Sequence, residues 1–124
     1  MGLKSLLVNL FVDDVNATAD FYRDVLGFEV VLTDPEEEPW GWVLMKNGGV
    51  EVMFESRRDP SGPTCEDLGN DLAFYIEVDD IEGLYDGLKD KGCVVEELHE
   101  AVYGMPEFSV CDCNGFLISF VEIR

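Results

Sequence analysis

Two short motifs recur at nearly one spacing, and that repeat constrains the fold of this 124-residue chain more than any other feature. Residues 12–15 read VDDV and residues 78–81 read VDDI, 66 positions apart, while Asn47-Gly48 and Asn114-Gly115 lie 67 apart. Two independent signals at one offset point to a duplicated supersecondary unit.

Both copies run through the same patterns in the same order. Before the first VDD, Leu6, Val8, Leu10 and Val12 alternate with Leu7, Asn9 and Phe11. Before the second, Leu72, Phe74, Ile76 and Val78 alternate with Ala73, Tyr75 and Glu77. Period two marks a strand with one face on a core. A helical period follows each motif. Asn16 is placed to cap a helix with Phe21, Val25 and Leu26 on its apolar face and Gly27 at its end. Asp80 is placed to cap a second, with Ile81, Leu84, Tyr85 and Leu88, ending at Gly92. Gly83 and Gly87 weaken this second helix without cancelling its period.

Strand-like runs at 27–32, 42–45 and 50–55 surround the first Asn-Gly, and runs at 93–96, 108–111 and 116–123 surround the second. Asn-Gly between alternating runs signals a hairpin. The class is therefore α+β: two βαβββ modules, residues 1–55 and 70–124, joined by a polar linker at 56–69 that contains Pro60, Gly62 and Pro63. A module of about 60 residues buries little surface alone, so the two are expected to pair around a shared core as one domain.

Charge narrows the partners. Asp and Glu total 27 against 8 Lys and Arg, a formal net charge of -19. Such a surface repels phosphate backbones and anionic lipid, so neither nucleic acid nor a membrane is expected, while cationic ligands and basic proteins remain open. Solubility alone also explains the charge. The single histidine, His99, excludes any site that needs two imidazoles from one chain. Cys65, Cys93, Cys111 and Cys113 match neither paired CxxC zinc spacing nor a secreted disulfide framework, and a bridge between Cys111 and Cys113 would be strained. Reduced thiols in the cytoplasm are the expectation. The first residues carry no signal-peptide pattern, and no apolar run reaches the roughly 18 residues that span a bilayer.

The segments VDDVNATADFYRDVLGFEV at 12–30, VEVMFE at 50–55, FYIEVDDI at 74–81 and PEFSVCDCNGFLISFVE at 106–122 resemble the vicinal oxygen chelate superfamily. That superfamily holds glyoxalase I, bleomycin-resistance proteins, fosfomycin-resistance enzymes and extradiol dioxygenases. The resemblance implies βαβββ modules whose curved mixed sheet wraps a ligand cavity, often completed by a second subunit. In metal-dependent members the ligand positions correspond here to Leu7, Glu51, Ala73 and Ser119, so one ligand of four is kept. A lone carboxylate holds a divalent ion weakly, and neither a metal nor any other cofactor is expected.

By strand parity, Leu7, Asn9 and Phe11, then Glu51, Met53 and Glu55, then Ala73, Tyr75 and Glu77 face the concave side. Glu107, Ser109 and Cys111, with Leu117, Ser119 and Val121, join them if Phe108 and Val110 pack on the core. The expected lining is acidic (Glu51, Glu55, Glu77, Glu107) and aromatic (Phe11, Tyr75), joined from loops or the rim by Trp40, Trp42 and Tyr103. It suits a planar or cationic ligand. The bland alternative is that these carboxylates face water. Trp40 and Trp42 form either a stacking wall or one core and one interface tryptophan.

His99, in the segment Glu97–Tyr103 between expected strands, reads as a surface residue, and Arg57 and Arg58 as solvated. Asp13, Asp14, Asp79 and Asp80 read as strand-end and capping residues. The chain is thus most similar to the metal-free bleomycin-resistance-type members, as a homodimer that sequesters its ligand without catalysis. Two other readings stay open. One is a glyoxalase-like lyase or isomerase with Glu51 as general base; the other is a non-catalytic protein-interaction module.

Overall fold

The alternation before each VDD does become a strand, and the strands that follow fold back on it in the same way twice. The computed structural model describes residues 2–57, 72–101 and 104–124. Most of the expected linker, with Arg58 and Cys65, and also Tyr103, lies outside the described residues. The chain forms two compact units, Met1–Gly62 and Pro63–Arg124. The first contains β1 (Val8–Val12), α1 (Val15–Asp24), β2 (Glu29–Asp34), β3 (Trp42–Asn47) and β4 (Val50–Ser56). The second contains β5 (Ala73–Glu77), α2 (Ile81–Leu88), β6 (Val94–Glu100), β7 (Pro106–Cys111) and β8 (Leu117–Val121).

Both units carry a mixed four-stranded sheet of one topology, β1-β4-β3-β2 and β5-β8-β7-β6. In each, the outer strand that enters the helix runs parallel to its neighbour and the other pairs are antiparallel. The duplication holds to the residue. Val8 stands opposite Val52, and Phe74 opposite Ile118, so both partners shift by the same 66 positions.

One face of each sheet packs under its own helix. In the first unit Leu10, Val12, Val43, Met45 and Phe54 are buried with Val15, Ala19 and Tyr22 of α1. The Tyr22 ring lies 4.7 Å from Phe54 and 5.5 Å from Phe28. In the second, Phe108, Val110, Ile118 and Phe120 are buried with Ile81 and Leu88 of α2. Phe108 stacks between Tyr85 at 5.1 Å and Phe120 at 5.2 Å. Gly27 (φ 77°) and Gly92 (φ 80°) turn the chain out of each helix in a left-handed conformation that a side chain disfavours.

Three expectations need correction. Asp14, not Asn16, caps α1: its Oδ1 accepts from the Ala17 N–H at 3.0 Å, and the helix starts at Val15. Asn16 lies in the first turn and clamps Trp40 instead. Its Oδ1 accepts from the Trp40 N–H (3.1 Å), and its Nδ2 donates to the Trp40 carbonyl (3.4 Å). Arg57 is not solvated, because its side chain is 11% exposed and Nη1 lies 3.1 Å from Asp13 Oδ1. Finally, β6 continues to Glu100, so His99 belongs to a strand rather than a connection.

Candidate functional site

A concavity lies on the second sheet, on the face away from α2, and a β-bulge shapes it. On β7 and β8, Glu107, Ser109 and Cys111 stand opposite Val121, Ser119 and Leu117. Pairing with β6 is irregular: Glu96 opposes Ser109 and His99 opposes Glu107, so three steps along β6 match two along β7. Regular alternation would send residues i and i+3 to opposite faces. The extra residue brings Glu96 and His99 to the same one.

The resulting pocket, about 640 Å³, is lined by Tyr75, Glu96, His99, Glu100, Ala101, Met105, Glu107 and Val121. Its volume falls within the usual range for small-molecule sites, roughly 300–1,000 Å³. The Tyr75 hydroxyl reaches Glu107 Oε1 at 3.5 Å, and the exposed ring offers a flat apolar surface. His99 Nε2 lies 3.0 Å from Glu96 Oε1, and Nδ1 lies 2.8 Å from the Glu97 carbonyl oxygen. Among the described residues neither Lys nor Arg lines the pocket. Three carboxylates and one imidazole therefore share the lining, with Met105 and Val121 as apolar wall.

The expected site residues divide among four settings. Tyr75 and Glu107 line the pocket itself. Glu77, Ser119 and Cys111 share its sheet face by register without lining it. Ser119 is 2% exposed and its Oγ bonds Ser109 Oγ at 2.8 Å, so this hydroxyl pair is internally satisfied. Phe11, Trp42, Glu51, Met53 and Glu55 share the open face of the first sheet, where Phe11 and Trp42 both stand opposite Glu55, and Met53 opposite Asn9. Asn9 Nδ2 donates to Glu55 Oε1 at 3.0 Å, while Asn9 Oδ1 is buried without a hydrogen-bond partner. Trp40 is held by its backbone, and its buried indole N–H also lacks a partner. Sequence reasoning missed Glu96 and dismissed His99. The bulge that unites them leaves no mark in the pattern of residue types.

Of the four positions that correspond to ligands in metal-dependent members, Glu51 alone carries a carboxylate. Glu51 is exposed opposite Lys46 on the first sheet. Its counterpart 66 positions on is Leu117, and Ser119 corresponds instead to Met53, so Glu51 and Ser119 are not equivalent positions of the two units. Leu7 and Ala73 are apolar, and the Ser119 hydroxyl is engaged. Among the described residues no group of three or more His, Cys, Asp or Glu side chains is arranged to hold an ion. The Cys93 and Cys111 thiols are poorly suited to nucleophilic work. Burial pushes the Cys111 thiol up, with Asp112 and Cys93 adding to the effect, and burial raises Cys93 as well.

Residues 4–120 match the Glyoxalase/Bleomycin resistance protein/Dioxygenase superfamily, and the chain belongs to that family. A curated relative, the uncharacterized protein YraH of Bacillus subtilis, is 26% identical over 101 residues, covering 76% of this chain and 77% of YraH. The crystal structure of TioX from Micromonospora sp. ML1 superposes with a TM-score of 0.77 at 22% identity, covering 98% of this chain and 97% of TioX. TnmS3, an antibiotic binding protein from Streptomyces sp. CB03234, gives 0.75 at 19% identity over 100% and 99% of the two chains. A lactoylglutathione lyase from Agrobacterium tumefaciens gives 0.71 at 21% identity over 98% and 96%. At these identities the structural likeness is one of fold, shared by binding proteins and enzymes alike.

Proposed function

We propose that this chain is a metal-independent small-molecule binding protein that sequesters a cationic, planar ligand on the open face of its second sheet. The observation that carries this reading is the pocket of about 640 Å³, which Glu96, Glu100 and Glu107 line together with the exposed Tyr75, with no Lys or Arg among the described lining residues. The carboxylates pair with the ligand's charge, and the tyrosine face covers its planar part. No bond is broken. Family membership and the likeness in fold to an antibiotic-binding protein support a binding role. In the same proposal the protein works in the cytoplasm as a homodimer of two-module chains (residues 1–55 and 70–124 about a 56–69 linker), and its ligand class includes basic antibiotics such as bleomycin. Light scattering on the purified chain checks the dimer.

Calorimetric titration tests the binding. Bleomycin, the planar cation ethidium and a neutral planar aromatic are each titrated at low and high salt. The expected result is saturation near one cation per chain, unaffected by a chelator, weakened by salt, and weakened about tenfold by Glu107→Gln, equivalent to about 1.4 kcal/mol. Absence of heat with every cation, or preference for the neutral aromatic, overturns the proposal.

A further inference from the structure

We infer that His99 is the resident cation of the acidic pocket and selects ligands able to replace it, a reading that rests on the pocket being a cation site. The two ring nitrogens face two different acceptors. Nδ1 lies 2.8 Å from the Glu97 carbonyl oxygen, and Nε2 lies 3.0 Å from Glu96 Oε1. A carbonyl and an ionised carboxylate both accept and neither donates, so only the doubly protonated imidazolium makes both hydrogen bonds. A neutral ring keeps one of them and sets a lone pair against the other acceptor.

Among the described residues that line the pocket there is no other cation. His99 faces Glu96 and Glu100 on its own strand, Glu107 across the bulge on β7, and Tyr75 on β5, whose hydroxyl leans on Glu107. When the ring is protonated, Glu96 is neutralised from within and the pocket presents less negative charge. When the ring is neutral, Glu96 is released. A ligand cation that takes Glu96 therefore displaces a proton from His99: one positive charge enters, one proton leaves, and the charge of the site is unchanged. Affinity therefore follows pH through the proton that the imidazole gives up when Glu96 is taken. The ligands favoured are those whose charge persists when imidazole has lost its own, such as quaternary nitrogens and strongly basic amidines or guanidines.

Ethidium tests this, because its charge is permanent and its own titration does not intrude. Its binding to the full chain is measured from pH 5.5 to 8 at fixed ionic strength, in two buffers of different ionisation enthalpy to count protons. Affinity should rise with pH, by at most tenfold per unit for a one-proton exchange, with proton release on binding. His99→Gln should flatten the profile and bind as tightly at pH 5.5 as at pH 8. Glu96→Gln, which removes the shared acceptor, should also flatten it and weaken binding at pH 8. Ethidium binding by His99→Gln with the wild-type pH profile overturns the role of His99 while leaving the cation site standing. Failure of both wild type and His99→Gln to bind at pH 8 overturns the cation site, and this inference with it.

Discussion

Asp112 is 6% exposed, and its Oδ1 accepts from the backbone N–H of both Asn114 and Phe116 at 2.9 Å. The acidic residue between two cysteines thus folds the turn from β7 to β8. Asp112→Ala strands two donors, one of them at buried Phe116, and should cost about 2 kcal/mol in urea unfolding. A loss below a few tenths would show that water replaces the carboxylate. Arg124 organises a second cluster, donating to both Glu82 and Glu122, while Glu122 Oε1 accepts from the Ile81 N–H at the start of α2. The guanidinium hydrogen bond holds both carboxyls below the usual glutamate range, aided at Glu122 by the Ile81 N–H. The folded values are depressed, so this contribution is present above the ordinary glutamate value and is lost as pH falls through the depressed ones. Arg124→Gln should move both titrations upward in a carboxyl-detected NMR series. Unchanged midpoints would remove Arg124 as the cause.

Capping and helix composition make separate predictions for the two helices. Asp14→Ala should cost about 1 kcal/mol by leaving the Ala17 N–H without its acceptor. Gly87 lies inside α2 at negative φ, with nothing within 4 Å of an added Cβ. Gly87→Ala should therefore stabilise by about 0.5–1 kcal/mol through propensity alone, and a thermal melt that falls would reveal a close neighbour at that surface. These elements also show what was legible in the sequence. Alternation before VDDV and VDDI specified β1 and β5, since burial of every second residue is what a sheet on a helix requires. The Asn-Gly turns placed β3–β4 and β7–β8. Helix starts were less legible, because Asp14 and Asn16 are both competent caps and the choice depends on where Trp40 needs a partner. The pocket was half legible. Parity placed Tyr75 and Glu107 on the open face, but parity fails across the β6 bulge, and with it went Glu96 and His99.

At the scale of the whole molecule the charge of -19 acts on the fold and on the ligand with opposite signs. Arg23 is committed to Asp20 and Asp24, Arg57 to Asp13, Lys89 to Asp86, and Arg124 to Glu82 and Glu122. With 27 acidic and 8 basic residues, most carboxylates have no basic side chain to answer them, and they repel one another across the surface. Salt screens exposed charges over about 10 Å at 0.1 M and about 3 Å at 1 M. Raising sodium chloride from about 20 mM to about 500 mM shortens the screening length from over about 10 Å to under about 10 Å, and should therefore raise the melting temperature by several degrees. The same salt should weaken ethidium binding, where the attraction between ligand and carboxylates is what is screened. If charge served solubility alone, the melting temperature would still rise and no salt-sensitive binding would accompany it. If the melting temperature falls with salt, favourable ion pairs outweigh the repulsion, and the surface charge is not the strain on this fold that its arithmetic implies. Measuring both quantities on one preparation separates the cost of the acidic surface to folding from its use in holding a cation.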